Sequence, residues 1–513
     1  MERAKMADMQ RQKVILNKLA IVLSVNQGEG WLIVDHHRKW VDKNSLILIE
    51  GYDELTIESL TALNIEQRII NHIPSNIRDQ KLRTLDKRVL SESGKFFPII
   101  ALGTLGSLSL TFNCSKRGLD SLEVQTKKLP IENSYDLVIV GAGPSGASLA
   151  AHAEHAGLNY LWLGEPFSFW LYHILPNDLR SPAAASGINT PINDMDFISF
   201  AQCIGVPIDQ PVSMPLALAY FNYFVTKQNL TPLPFTAEKV DYQDNSYNVQ
   251  LRMADQYQTV KCRNLVWCAG LKGMENIPKI LRQIPSKNFT HSSDTNIPNT
   301  LSKDYKIAVI GAGQSAAEHA ILAIDSGAQV KLLIRDSNLI FRNLHSPGNH
   351  LYKWCSKNAD SFVYRLPSFI QKRFLSYLLK GTTEPKMKLI NQWDKLKIIP
   401  KFDLIQANVL SDGKLELKAR SGQCEYVDHL ILGTGYKYEI NKIKPLSDLQ
   451  HQIKSSDGFP LLDENCMSSV PGLFFGGYAA MKRIGPKCQF IAGSALTSKA
   501  LMYGISQRLK HDN

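Results

Sequence analysis

Short apolar runs alternate along the chain with glycine-rich turns and stretches compatible with helices. Tyr135-Asp-Leu-Val-Ile-Val140 is a run of β type, followed by Gly141-Ala-Gly-Pro-Ser-Gly146 and a helix-compatible stretch from Ala147 to Ala156. Tyr160-Leu-Trp-Leu163 is a second run of β type, with Glu165 just beyond it. Strand, turn, helix and strand in this order predict a βαβ unit with parallel strands. The pattern returns later. Lys306-Ile-Ala-Val-Ile310 predicts a strand, Gly311-Ala-Gly-Gln-Ser-Ala316 a turn, and Ala317 to Ser326 a helix closed by Gly327. Gln329-Val-Lys-Leu-Leu-Ile334 predicts the next strand, ending at Arg335.

Other runs fill in around these two units. Tyr247–Arg252, Asn264–Cys268, Lys414–Ala419 and His429–Leu432 predict strands, and Gly485–Lys510 reads mainly as a helix. Residues 1–132 carry a strand-like run, Leu46–Ile49, and a helix-like run, Glu54–Ile70, which read as a small α/β module or an extension packed on the rest. Leu366–Lys380 has the pattern of a basic amphipathic helix. Such a helix packs its apolar face on its neighbour or touches an anionic membrane or a partner.

Composition narrows the classes. A chain of 513 residues with 44% hydrophobic and 20% charged residues is ordinary for a globular protein of several domains. Its net charge of +11 is partly gathered after the second glycine turn, at positions such as Arg342, Lys353, Arg365, Lys372 and Arg373. That excess is either a solvated face or a field that attracts phosphates. No nucleic-acid motif accompanies it. The eight cysteines are scattered and include no Cys-x-x-Cys, which argues against a zinc ribbon and a dithiol redox centre, and no metal is expected. Phe96–Phe112 is apolar but short and broken by Pro98, Gly103 and Gly106, a poor membrane span. The N-terminus makes a poor signal peptide, so a soluble cytoplasmic protein is expected.

The glycines carry the chemistry. Gly141 permits a tight turn, Gly143 lets the backbone approach a pyrophosphate, and Gly146 lets helix and strand pack closely. With Pro144 and Ser145 they open a helix whose unpaired N–H groups favour phosphate, and Glu165 stands where an acid binds ribose hydroxyls. In the second unit Gly311, Gly313, Gln314 and Ser315 play the same part, with Ala316 in place of the third glycine. Arg335 replaces the acid, and an arginine pairs with a 2′-phosphate that an acid would repel. The expected cofactors are therefore FAD at the first unit and NADPH at the second, with NADH as the alternative. The expected fold is α/β with two Rossmann-like dinucleotide-binding domains and an additional N-terminal module. Residues 133–302 and 428–513 form the FAD-binding domain, 303–427 an inserted NAD(P)H-binding domain, and 1–132 the module.

From about Tyr135 onward the chain resembles the class B flavoprotein monooxygenases, above all the N-hydroxylating lysine and ornithine branch and its bacterial flavoprotein relatives. Gly311-Ala-Gly-Gln-Ser-Ala-Ala-Glu318 is similar to the NADPH-site motif of that branch, and Phe289-Thr-His-Ser-Ser-Asp294 also looks like it. Asp428-His-Leu-Ile-Leu-Gly-Thr-Gly-Tyr436 is similar to its Asp-x-x-x-Leu-Ala-Thr-Gly-Tyr signature, with Gly433 in the alanine position. The resemblance implies cofactor contacts at Thr434, Gly435 and Tyr436, at Trp170, His173 and Arg180 where the chain passes the flavin, and at Gly476. It implies that NADPH reduces FAD and that oxygen then gives a C4a-hydroperoxyflavin, which hydroxylates a small nucleophilic metabolite such as an amine. His291, Asn349 and His173 are the candidate substrate-side groups.

Two departures keep alternatives open. The Baeyer–Villiger fingerprint is absent, and Gly485-Pro-Lys-Cys-Gln-Phe490 fits the bacterial relatives better than the amine hydroxylases. An NAD(P)H-dependent flavin reductase that inserts no oxygen is one alternative. A non-catalytic flavoprotein whose N-terminal module binds a partner is another. The oligomeric state is not legible.

Overall fold

The computed structural model describes residues 131–169, 183–203, 214–294 (apart from 229, 234, 254 and 255), 305–339 and 395–511, with isolated strand segments elsewhere. Strand β1 (Ser134–Val140) is buried on both faces, which is why it reads as a continuous apolar run. Leu137 and Ile139 enter one core, and Val138 and Val140 the opposite one. Helix α1 (Pro144–His155) follows, with proline in its first turn, where the missing N–H has no intrahelical partner to lose. Its alanines lie flat against the sheet. β2 (Tyr160–Leu163) pairs parallel with β1, Val140 opposite Leu163. Helices α2 (Phe197–Cys203) and α3 (Met214–Lys227) add an aromatic block, Phe197, Phe200, Tyr220, Phe221 and Phe224, to the α1 side of the core. An antiparallel meander of β3 (Thr236–Gln243), β4 (Ser246–Met253) and β5 (Gln256–Trp267) then brings β5 back beside β1.

The second sheet is all parallel, in the order β6 (Phe289–His291), β13 (His429–Leu432), β7 (Lys306–Ile310), β8 (Gln329–Leu333), β9 (Lys397–Ile399). Helix α4 (Gln314–Asp325) links β7 to β8 and packs Ala316, Ala320 and Ile321 on one face. A three-stranded antiparallel sheet, β10 (Leu404–Val409), β11 (Leu415–Ala419) and β12 (Cys424–Val427), covers the other face. The strands flanking residues 303–427, β6 and β13, both pair in this second sheet. The Asp428 carboxylate accepts the Lys306 backbone N–H at 2.8 Å, which sets the register of β13 against β7.

The chain then returns to the first sheet. β14 (Leu473–Phe475) pairs parallel with the end of β5, and α5 (Ser494–His511) packs along α1. Before α5 the expected helix is instead two 3-10 turns, Pro486–Gln489 and Ile491–Gly493. Gly485 at φ 142° cannot lie in a helix, and Pro486 has no N–H to donate.

In the N-terminal region the expected strand Leu46–Ile49 is present. Leu55–Thr56, inside the run expected to be helical, is a strand paired with Leu46 and Ile47, because cross-strand pairing overrides local helix preference. The rest of that run lies outside the described residues. Among the described residues of 1–132 the strands pair antiparallel, in two sheets. Among all the described residues no helix is long and apolar enough to cross a membrane.

Candidate functional site

The carboxyl ends of β1, β5 and β14 lie level, with Val140 opposite Trp267 and Trp267 opposite Phe475. Gly141, Cys268 and Gly476 therefore form a row along one sheet edge, where ligands of open α/β sheets bind. Gly141 has φ +118°, and a Cβ there would stand 2.5 Å from the Cys268 carbonyl oxygen. A Cβ on Gly146 would stand 1.9 Å from the Gly141 oxygen. No larger residue fits either place. Gly143 caps α1 without a side-chain hydrogen bond, so the first-turn N–H groups face the edge with no side-chain cap. Gly477 closes over this helix end, 2.7 Å from Ser145 Oγ to where its Cβ would be. Glu165 is half-buried just beyond β2. Backbone approach, bare N–H groups and a flanking acid fit the pyrophosphate and ribose of a dinucleotide. Cys268 beside them is buried, and burial pushes its thiol up to about 12, so it is no thiolate at neutral pH.

The second unit repeats the first bond for bond. Gly141 N–H donates to Leu163 O at 2.9 Å, and Gly311 N–H to Leu333 O at 3.1 Å. Gly164 N–H donates to Leu233 O, and Ile334 N–H to Ile399 O. These bonds place Arg335 where the first unit holds Glu165. Arg335 is exposed, and no ion pair engages it among the described residues. Gly313 caps α4, and a Cβ there would meet nothing within 4 Å, so this end is open. Gln314 donates its Nε2–H to Glu318 Oε1 at 3.0 Å, and Glu318 is buried. The Ser315 carbonyl accepts from His319 Nδ1 at 2.7 Å.

Two crossovers join the units, and they are zipped together. Asn276 N–H donates to Gly435 O, and Lys437 N–H to Met274 O. Thr434 Oγ1 donates to Asn276 O at 2.6 Å, and Asn276 Nδ2 donates back to Thr434 O. His291, only 6% exposed, ties this hinge to β6. Its Nε2 lies 3.0 Å from Gly435 O, so Nε2 carries the proton, and Nδ1 accepts the Ser293 N–H at 3.2 Å. Ser293 also hydrogen-bonds Tyr436, whose phenol burial raises to about 12. Tyr436 stands edge-on to His291 and next to Phe169 of the first unit. Thr434, Gly435 and Tyr436 thus lie on a hinge between the two cradles.

Burial lowers the pKa of His319, His152 and His429 below the ordinary 6.5. In the unfolded chain these histidines take up protons as pH falls through 6.5, while the folded ones do so only at lower pH. Stability is therefore expected to fall as pH drops from 6.5 toward 5, by up to about 1.4 kcal/mol per pH unit for each histidine. Urea midpoints measured across that range check this. A flat profile, or one left unchanged by His319→Gln, would show that burial of these rings is not felt.

Trp170, His173, Arg180, Asn349 and the helix expected over 366–380 lie outside the described residues. Sequence reasoning did not single out Asn276, whose partner Thr434 lies 158 positions away. It noted Gly433 as a departure from the signature, without the contact to Ala316, 117 positions away, that explains it.

No curated protein sequence matches the chain. Residues 138–364 match the family described as pyridine nucleotide-disulphide oxidoreductases. The chain is similar in structure to the FAD-bound cadaverine monooxygenase of desferrioxamine biosynthesis from Erwinia amylovora, at 21% identity and TM-score 0.57, over 73% of this chain and 95% of that one. It is also similar to an ornithine hydroxylase from Pseudomonas aeruginosa, at 19% identity and TM-score 0.59, over 73% and 100%. A bacillithiol disulfide reductase from Staphylococcus aureus matches at 15% identity and TM-score 0.52, over 74% and 100%. The chain therefore has the two-dinucleotide-domain α/β fold that class B flavin monooxygenases share with these reductases.

Proposed function

We propose that this chain is an oxidoreductase that holds FAD in the first cradle and NADPH in the second, and uses O2 to hydroxylate a small nucleophilic metabolite. One observation carries the reading: two cradles of the same hydrogen-bonded geometry end in opposite charges, Glu165 and Arg335. Bound FAD supplies the acceptance of hydride and the activation of oxygen. The chain's own residues bind and orient. The first-turn N–H groups of α1 hold the pyrophosphate, Glu165 takes ribose hydroxyls, and Gly476 and Gly477 leave room along the edge. Gln314, pinned by Glu318, and Ser315 place the nicotinamide end, and Arg335 meets a 2′-phosphate. The hinge around Thr434, Gly435 and Tyr436 ties the two cradles together through its hydrogen bonds to Asn276 and His291. His173 and Asn349 are the substrate-side candidates, with amines as the first class to try. The five free cysteines among the described residues suit a cytoplasmic setting.

A reductase that inserts no oxygen is the second reading, favoured by the likeness to the bacillithiol disulfide reductase. Against its dithiol form stand Cys262 and Cys268, buried thiols that burial holds protonated. The deciding experiment feeds NADPH and O2 to the FAD-loaded protein with a panel of primary amines. NADPH oxidation coupled to a hydroxylated amine is expected. NADPH oxidation that yields only hydrogen peroxide across the panel would favour the reductase, and a protein that retains no FAD would remove the first cradle from the argument.

A further inference from the structure

We propose that Lys401 joins Arg335 in a two-cation seat for the 2′-phosphate of the second nucleotide. The inference rests on the two-cofactor reading above and goes beyond it by naming a residue that sets the choice of nucleotide.

The hydrogen-bond repeat between the units locates Lys401. Leu163 bridges Leu233 in parallel, and Leu333 pairs with Ile399 in parallel. Two residues past Leu163 and Leu333 stand Glu165 and Arg335. Two residues past Leu233 and Ile399 stand Phe235 and Lys401. The first unit thus has an acid and a buried phenyl ring at these two strand ends. The second has two cations. A seat for a ribose has become a seat for an anion at both positions together.

The backbone ties the two strand ends together. Lys401 N–H donates to Asp336 O at 3.0 Å, so the lysine is fixed to the residue next to Arg335. Lys401 also sits at φ +56°, a left-handed conformation that favours glycine or asparagine over lysine. A strained residue kept at a strand end next to a ligand edge points to a use for its side chain. Both cations are exposed, and neither has an ion-pair partner among the described residues. In the same unit Lys331 is paired with Glu425, Lys414 with Asp412 and Arg420 with Asp403. A phosphate monoester carries close to two charges at neutral pH. It gains from a second cation because charge-assisted hydrogen bonds to phosphate are the strong ones.

The test titrates the FAD-loaded protein with NADP+ and with NAD+ by calorimetry, since the two differ only in the 2′-phosphate. Wild type is expected to prefer NADP+. Lys401→Ala is expected to weaken NADP+ about tenfold and NAD+ by less than about twofold, the loss of one charge-assisted contact. Lys401→Gly is expected to give the same loss while raising the melting temperature, because glycine takes a positive φ without strain. That variant separates lost binding from lost folding. Equal losses for both nucleotides, no loss for either, or a wild type that prefers NAD+ would overturn the seat. Should Arg335→Ala abolish the preference while both Lys401 variants keep it, the seat has one cation and the two-cofactor reading stands. If the flavin-loaded wild type binds neither nucleotide, that reading falls and the seat with it.

Discussion

Gly433→Ala is expected to destabilise the second nucleotide unit by about 2–3 kcal/mol, the upper range for overpacking a closed contact. A Cβ at this position would lie 2.4 Å from Ala316 Cβ, 2.5 Å from Ala316 Cα and 2.8 Å from Ala316 N. Two of those atoms are backbone of α4, so no rotamer change relieves the contact. The helix must move, and Gly313, Gln314 and Ser315 move with it. The related signature places alanine here, whereas this chain has glycine at 433. The methyl of Ala316 fills the space that Gly433 leaves. Ala316→Gly in the Gly433→Ala background removes the nearest of the three contacts and is expected to recover part of the loss, with a coupling of about 1 kcal/mol. Denaturant midpoints for the four proteins of the cycle give that coupling directly, and strict additivity would show that positions 316 and 433 do not answer one another. NADP+ affinity is expected to fall along with stability, since under the proposed function the same helix end holds the phosphates.

His291→Ala is expected to cost about 3 kcal/mol, because it removes one of the two donors to Gly435 O, leaves the buried Ser293 N–H without its acceptor and opens a cavity at the hinge. The expectation separates a holding role from a proton-transfer role. His291→Gln returns an N–H near the position of Nε2 and so restores the bond to Gly435. A glutamine cannot take up a proton. If His291 holds the hinge, the glutamine variant recovers a large part of the melting temperature and keeps most of the turnover. If it acts as a base, the variant is stable yet slower by about 10²-fold or more. Thermal melts read beside turnover, over a range of pH, distinguish the two. The geometry favours holding, since Nε2 faces a carbonyl and Nδ1 faces a backbone N–H of its own segment.

Both predictions fall on contacts that local sequence does not announce. Each βαβ unit was legible because its information is local: a buried parallel strand must be apolar throughout, and a phosphate turn must have glycine where a Cβ would strike backbone. Gly141, Gly146 and Gly311 are such positions, and β1, β2, β7 and β13 start and end within a residue of where the apolar runs do. The opposite charges of Glu165 and Arg335 were likewise visible as residues ending strands. Local pattern went astray where pairing partners lie far off or where turns compete with a helix. Leu55–Thr56 became a strand because Leu46–Ile49 offers an edge, and the stretch before Ser494 broke into 3-10 turns around Gly485 and Pro486.

What this sequence determined by itself is a pair of nucleotide cradles, their order, and the sign of charge at the end of each. Those features depend on residues a few positions apart on one βαβ unit. Only the tertiary structure decided that Asn276 and Thr434 close a hinge, that His291 reaches Gly435, that Gly433 makes way for Ala316, and that the Lys401 backbone bonds to the residue next to Arg335. Each of these is a contact between segments tens to more than a hundred residues apart, set by strand order and register, and no periodicity along the chain encodes which side chain will stand across from which.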